Sequence, residues 1–259
     1  MIEIMEYIDV HCHLNCPEYD TDREEVIARA QAGEIGVINV GTDILMSQKA
    51  IEIARAHKNM WATVGVHPTH TAENNNFSLI EKLAEDPKVV AIGECGLDFF
   101  RSVPEEFETQ RAIFLQHIEL ANRVNKPLML HVRNGKDNLG VYGEAIEMLK
   151  KHSKVRANFH FFAGTIEDLK MILDIDGTVS FTGVVTFTRS YDEIIKYVPI
   201  DHIMSETDAP YVAPAPFRGK RNEPLYIKEI LAGLATVRGE TIEELSLHIV
   251  DKARKMFGI

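Results

Sequence analysis

His11 and His13 stand two residues apart in Asp9-Val-His-Cys-His-Leu14, and side chains at i and i+2 of a strand point to one face. Two imidazoles aimed the same way can close on one cation at little ordering cost, although a lone His-x-His pair is also what two water-facing strand-end histidines look like. Position along the chain says more. Of eleven histidines, His11, His13, His67, His131 and His160 fall at the carboxyl ends of strand-like segments. Glu94 closes the apolar run Val89-Val-Ala-Ile-Gly, and Asp208 follows His202-Ile-Met-Ser-Glu-Thr in the same manner. A carboxylate at the end of a buried run is costly unless it is paired or binds a metal. Four imidazoles (His11, His13, His131, His160) and these two carboxylates exceed what one tetrahedral zinc needs. They suit two divalent ions about 3.5–4 Å apart, sharing a bridging carboxylate and a water activated for attack on a phosphoryl or carbonyl group. Mixed nitrogen and oxygen ligation favours zinc, manganese, iron or nickel over calcium, with magnesium kept among the candidates. Asp9 lies on the face of His11 and His13 and reads either as an acceptor orienting a histidine or as the partner of a nearby backbone amide. His57, His117, His152, His202 and His248, in helices or at strand entries, and His70, in a loop, read as structural or surface residues.

Residues so far apart in the chain meet only if the strands carrying them are parallel neighbours around a common centre. Strand patterns occur at Tyr7–His13, Val37–Gly41, Trp61–His67, Val89–Glu94, Pro127–Val132, Ala157–Phe161, Thr178–Phe181 and His202–Glu206. Helical spacing of apolar residues marks Arg23–Gln31, Ser47–Ala56, Phe77–Glu85, Glu105–Asn125, Gly143–His152, Ile166–Leu173 and Asp192–Tyr197. This alternation predicts an α/β fold, a TIM (β/α)8 barrel forming a single domain over residues 1–259, with the metal site at the carboxyl face of the strands. An open doubly wound sheet is the runner-up, and it would call for a glycine-rich phosphate loop after the first strand, which the sequence lacks. Gly33, Gly36 and Gly41 read as turn glycines. Pro210, Pro214, Pro216 and Pro224 bracket Ala209–Asn222, a loop that proline should stiffen. Pro224 can open a helix capped by Asn222 or Glu223, and helices Tyr226–Val237 and Ile242–Met256 close the domain.

A length of 259 residues that are 45% hydrophobic can bury a sizeable core. No apolar run is long enough to span a membrane, and the acidic start leading straight into a strand predicts no signal peptide. Three cysteines cannot all pair within one chain, so a reducing cytoplasm is the expected location. Lys and Arg number 28 against 39 Asp and Glu, a net charge of −11 that argues against binding phosphate backbones over the whole surface and leaves room for a local basic patch.

Seven motifs in order, Asp9-Val-His-Cys-His-Leu14, Val64-Gly-Val-His-Pro68, Ala91-Ile-Gly-Glu-Cys-Gly-Leu-Asp98, Pro127-Leu-Met-Leu-His-Val-Arg133, His160-Phe-Phe-Ala-Gly164, Glu206-Thr-Asp-Ala-Pro210 and Arg218-Gly-Lys-Arg-Asn-Glu-Pro224, resemble the successive signatures of the TatD family of metal-dependent deoxyribonucleases. The resemblance covers nearly the whole chain and implies an amidohydrolase-like barrel with a two-metal centre. It implies that His11, His13 and Asp208 hold one ion, that His131 and His160 hold the other, and that Glu94 bridges them. It further implies that His67 contacts the scissile phosphate, the alternative being a histidine fixed by Pro68. Asp208 is the candidate to accept a proton from the attacking water. Glu206 and Asp98 resemble acids supporting the ligands, or make ordinary salt bridges; if the pleat persists, Glu206 and Asp208 share a face. Two departures stand out: His160-Phe-Phe-Ala-Gly164 replaces the family's more polar His-Cys-Phe-Ser-Gly, and the segment following Arg133 is longer than usual and should border the substrate.

Arg101, Arg133, Arg218, Lys220 and Arg221 fall in loops at the expected mouth, where cations would receive an anionic chain. Phe99 and Phe100 could stack on a base or pack beneath the loop. The expected activity is therefore hydrolysis of DNA phosphodiesters from a strand end through a water activated by two metals. The alternative is a small-molecule ester, amide or lactone hydrolase using the same centre. Neither needs a membrane or an obligate protein partner.

Overall fold

The computed structural model describes residues 5–71, 76–136 and 140–259. Part of the segment after Arg133 expected to border the substrate, residues 137–139, lies outside the described residues, as do residues 1–4 of the acidic start. Strands β1 (Tyr7–Cys12), β2 (Ile35–Val40), β3 (Met60–Val64), β4 (Val89–Asp98), β5 (Leu128–Arg133), β6 (Ala157–Phe159), β7 (Thr178–Phe181) and β8 (Ile203–Ser205) form one sheet in sequence order. Each is parallel to the next. Helices α1 (Arg23–Ala32), α2 (Ile44–Ala56), α3 (Phe77–Leu83), α4 (Phe107–Val124), α5 (Val141–His152), α6 (Ile166–Leu173), α7 (Asp192–Tyr197), α8 (Ile227–Arg238) and α9 (Ile242–Phe257) cover it outside. This is the expected TIM barrel. Strands buried on both faces are near-continuously apolar, as Ile35-Gly-Val-Ile-Asn-Val40 shows: each of its residues is buried.

Among the described residues no strand ladder joins β8 to β1; side chains and loop backbone close that seam. Ser205 Oγ donates to the Ile8 carbonyl (3.3 Å), the Thr207 amide donates to Asp9 Oδ1 (2.8 Å), and the Asp208 amide donates to the His11 carbonyl (2.9 Å). Asp9 also accepts from the His11 amide (3.3 Å) and the Thr207 hydroxyl, so of its two readings the backbone-amide partner is the one observed. Burial pushes the Asp9 carboxyl up to about 8 against the pull of these donors.

Helix ends follow local chemistry. Thr241 and Glu244 form a reciprocal capping box on α9, and Thr165 and Asp168 do so on α6. Two expectations are corrected. Gly36 is not in a turn but inside β2, where a Cβ would collide with Met5 and approach Trp61 at 3.2 Å. Pro224 begins a short 3-10 turn, Pro224–Tyr226, ahead of α8, and neither Asn222 nor Glu223 caps it by a side chain. Asn222 instead pins the proline-rich loop, donating to the Thr207 carbonyl (2.8 Å) and the Tyr211 carbonyl (2.6 Å).

Candidate metal centre

Glu94 does not close its strand; it sits inside β4, which continues to Asp98. The strand bends there because Gly93 and Gly96 adopt φ of 145° and 136°, and the register with β5 slips between Ile92 and Cys95. A side chain at either glycine would run into the carbonyl oxygen of Met129 or His131, so glycine is required on both sides of the acid. His13, His67, His160, Glu206 and Asp208 lie just past their strands rather than within them. Asp208 (φ 52°) and Phe161 (φ 44°), the residue after His160, are left-handed, an uncommon backbone for residues with a Cβ. The strand pleat therefore ends before Asp208, and Glu206 and Asp208 point to different partners.

The cluster converges. His11 Nε2 and His13 Nε2 are 3.1 Å apart. Glu94 Oε2 lies 3.6 Å from His11 Nε2 and 3.8 Å from His13 Nε2, and Asp208 Oδ1 lies 3.8 and 3.4 Å from the same atoms. The other oxygen, Glu94 Oε1, lies 3.0 Å from His131 Nδ1, 3.0 Å from His160 Nε2 and 3.3 Å from His67 Nε2. One carboxylate thus faces two groups of imidazoles with different oxygens. His11, His13 and Asp208 form one set able to hold a cation, and His67, Glu94 and His131 another.

The far side of each ring decides which nitrogen carries the proton. His13 Nδ1 faces the Val40 carbonyl at 3.0 Å, His131 Nε2 faces Asp98 Oδ2 at 2.9 Å, and His160 Nδ1 faces Glu206 Oε1 at 3.2 Å. Each of these acceptors takes an N–H and leaves a lone pair on the nitrogen aimed at the cluster. His67 is the reverse. Its Nδ1 accepts from the Thr69 amide at 3.2 Å, so the neutral ring carries its proton on Nε2, the atom facing the cluster. His11 is stacked on His160 (centroids 3.8 Å apart), and its buried Nδ1 has no partner among the described residues.

Burial pulls His67 down to about 4, so it is neutral near pH 7. Burial, with His160 beside it, also lowers His11. Burial opposes charging His13, His131 and His160, but carboxylates outweigh it: Asp208 and Glu94 raise His13, Asp98 and Glu94 raise His131, and Glu94 and Glu206 hold His160 well above the usual range. Burial likewise opposes ionising the acids, yet His67 and His160 keep Glu94 well below its usual range, His13 lowers Asp208, and His131 brings Asp98 to about 2. Buried imidazoles this close to one another hold protons against ionised carboxylates, and a divalent cation would displace those protons and take the ring nitrogens as ligands.

Beside the cluster is a cavity of about 700 Å³, lined by His13, Glu94, His131, His160 and Asp208 together with His67, Arg101, Arg133, Phe161 and Tyr211. His70, Thr69 and Cys16 also line it. Sequence reasoning set His70 aside as structural or surface and missed Tyr211; their signal was position, directly after β3 and β8. Of the expected substrate contacts, His67 and, of the cations, Arg101 and Arg133 are among the lining residues. Arg221 makes a two-pronged pair with Asp22 (2.9 and 2.5 Å) and stacks over Tyr19. Arg218 and Lys220 stand outside the cavity, over the rings of Phe187 and Phe217. Glu206 is fully buried behind His160, accepting also from the Phe161 amide (2.6 Å) and the Ser180 hydroxyl (2.5 Å). Phe99 packs inward, stacked on Phe107, whereas Phe100 is exposed beneath Arg133. Among the described residues no helix is long and apolar enough to cross a membrane, and Cys12, Cys16 and Cys95 are free and buried.

The family model described as TatD related DNase matches residues 8–258. The chain is 37% identical to a protein of Pantoea ananatis (strain LMG 20103) named 3'-5' ssDNA/RNA exonuclease TatD, over 97% of this chain and 99% of that one. It is 34% identical to the uncharacterized metal-dependent hydrolase YabD of Bacillus subtilis (strain 168), over 97% and 98% of the two chains. Its fold matches that of YJJV, a TatD homologue of Escherichia coli K12, with a TM-score of 0.88 at 24% identity over 99% of both chains. With a match this long and a ligand cluster of this composition at the mouth of its barrel, the chain belongs to the TatD family of metal-dependent hydrolases.

Proposed function

We propose that this protein is an exonuclease, hydrolysing the terminal phosphodiester of single-stranded DNA or RNA with the help of two divalent ions. The observation that carries the reading is the cavity, about 700 Å³, in which the ligand cluster meets Arg101 and Arg133. That volume is of the order that holds a small ligand, about 300–1,000 Å³, and suits the end of a strand. Cations placed there, in a chain of net charge −11, support an anionic substrate at this face. The relative named as a 3'-5' ssDNA/RNA exonuclease supports the same substrate class.

In this reading His11, His13 and Asp208 would hold one ion, His131 and His160 would hold the other, and Glu94 would be shared between them. Ions bound there supply Lewis acidity to a phosphoryl oxygen and lower the pKa of water. The chain does the rest. Its proton on Nε2 lets His67 donate to a non-bridging phosphate oxygen. Asp208, ionised and open to the cavity, accepts the proton of the attacking water. Arg101 and Arg133 hold the phosphate in place, and Asp98 and Glu206 fix the rings of His131 and His160.

The test is digestion of end-labelled single- and double-stranded DNA and of RNA by metal-stripped protein, with magnesium, manganese or zinc restored separately. A metal-dependent mononucleotide product released from one end, faster on single strands, is expected. Turnover of small esters, amides or lactones without any cleavage of nucleic acid would replace this reading with the small-molecule one.

A further inference from the structure

Among the described residues, eight arginines of this acidic chain hold a carboxylate in an ion pair. Arg101, Arg133, Arg189, Arg218 and Arg254 have no such pair among those residues. Arg254 is on α9. The other four all follow or end strands on the face that carries the cluster: Arg101 after β4, Arg133 at the end of β5, Arg189 after β7 and Arg218 after β8. Arg101 and Arg133 line the cavity. Arg189 and Arg218 belong to a second place.

That place is the rim made by the loops after β7 and β8. The two loops are docked together: the Ala215 amide donates to Thr186 Oγ1 at 2.8 Å, and a Cβ at Gly183 would meet Pro214 at 2.8 Å. On this rim the Arg218 guanidinium lies 3.7 Å from the centre of the Phe187 ring, and Phe187 is 42% exposed. Arg218 also reaches the Ala213 carbonyl at 3.4 Å, one residue beyond Val212 in the cavity wall. An exposed aromatic ring with a guanidinium over it, joined to the cavity wall by one residue, offers a stacking surface and positive charge together. Those are the two elements of sequence-independent recognition of single strands.

We propose that Phe187, Arg189 and Arg218 form an outer subsite for single-stranded nucleic acid, which grips the strand beyond the nucleotide held in the cavity. A base stacks on the Phe187–Arg218 pair, and Arg189 and Arg218 meet the backbone phosphates. The subsite rests on the nuclease reading for its place in a reaction, but its binding is measurable without turnover.

The experiment is fluorescence anisotropy of a labelled single-stranded DNA 12-mer, and of a labelled mononucleotide, against the full chain in EDTA. Wild type is compared with Phe187→Ala, with the double variant Arg189→Gln/Arg218→Gln, and with Arg254→Gln as a control for lost charge. Phe187→Ala should weaken 12-mer binding about tenfold, the effect of losing one stacked base. The double variant should do the same and flatten the salt dependence by about 1.4 in the log–log slope, for two released phosphate contacts on a single strand. Mononucleotide affinity should change less than twofold, and Arg254→Gln should match wild type. Thermal melts identify any variant that has lost its fold, and the other then carries the test. Unchanged 12-mer affinity in a folded variant, or equal losses for 12-mer and mononucleotide, overturns the subsite. Cleavage of nucleic acid by wild type together with unaltered binding in the variants removes the subsite alone. Weakened binding in the variants with no cleavage under any metal removes the nuclease reading and keeps the subsite.

Discussion

On the β5–β6 side of the cluster each imidazole rests on a carboxylate, His131 on Asp98 and His160 on Glu206. On the β1 side His13 rests on the Val40 carbonyl, and His11 Nδ1 rests on nothing among the described residues. A carboxylate behind a histidine fixes its tautomer and raises its basicity, and both β5–β6 rings are raised. The β1 side obtains its order differently, from β1 and the residue directly after it, which carry the two rings, and from the seam that ties Asp208 to the His11 carbonyl. One side is tuned by acids that can be removed singly, the other by backbone closure of the barrel.

Glu94 belongs to both sides, so it gives the largest expected effect. Glu94→Gln should lower metal-dependent turnover by about a thousandfold or more, since several kcal/mol of charge stabilisation leave with it. Bound metal, measured by elemental analysis, should fall while circular dichroism stays barrel-like; full activity in this variant would contradict a shared carboxylate. His67→Gln comes next. If its N–H meets substrate, kcat should drop about a hundredfold, as for the loss of one oriented donor, with metal content intact. Loss of metal instead would make it a ligand. Asp98→Asn and Glu206→Gln then separate the two sides: each should weaken metal binding on the β5–β6 side by about 10–100-fold. Thr207→Val, which removes a seam hydroxyl from Asp9, should act on the β1 side and by less. Titration of the metal-stripped variants would sharpen the contrast if two binding steps respond separately, and break it if all three variants lower both steps equally.

How much of this was legible in the sequence depends on what each residue needs. The barrel followed from alternation of apolar periods, and the convergence of the candidate ligands followed from their places near the ends of apolar runs. The sequence did not reveal that β4 continues past Glu94, because a strand that bulges between Gly93 and Gly96 reads like one that stops at the acid. It did not separate Arg221 from Arg101, because an ion pair with Asp22, 199 residues away in the chain, exists only once the barrel has closed. It left Asp9 undecided between a histidine and an amide, since its partner Thr207 lies across the seam. Glu206 and Asp98 were recognisable as supporting acids only in kind; which ring each one holds is a product of strand order.

The smallest effect on activity should come from a histidine that shares the protonation state of His67 and not its place. His117 on α4 is fully buried, accepts from the Val66 amide at Nε2 (3.0 Å), sits against the Ile113 carbonyl at Nδ1 (2.7 Å), and is brought by burial to about 4. Its Nε2 braces the backbone beside His67 and leaves nothing to face the cavity. The unfolded chain takes up a proton on this residue below about pH 6.5, whereas the folded protein does so only near pH 4. Its contribution to stability is therefore present at neutral pH and is lost as pH falls through that window, by about 3 kcal/mol. His117→Gln should be less stable than wild type at pH 7, with the gap closing by about that amount at pH 4, as measured by urea unfolding at both pH values. A gap independent of pH would mean that His117 titrates in the fold as it does in the unfolded chain. His67 would then be the more doubtful as a neutral donor, since the same burial argument holds both rings uncharged.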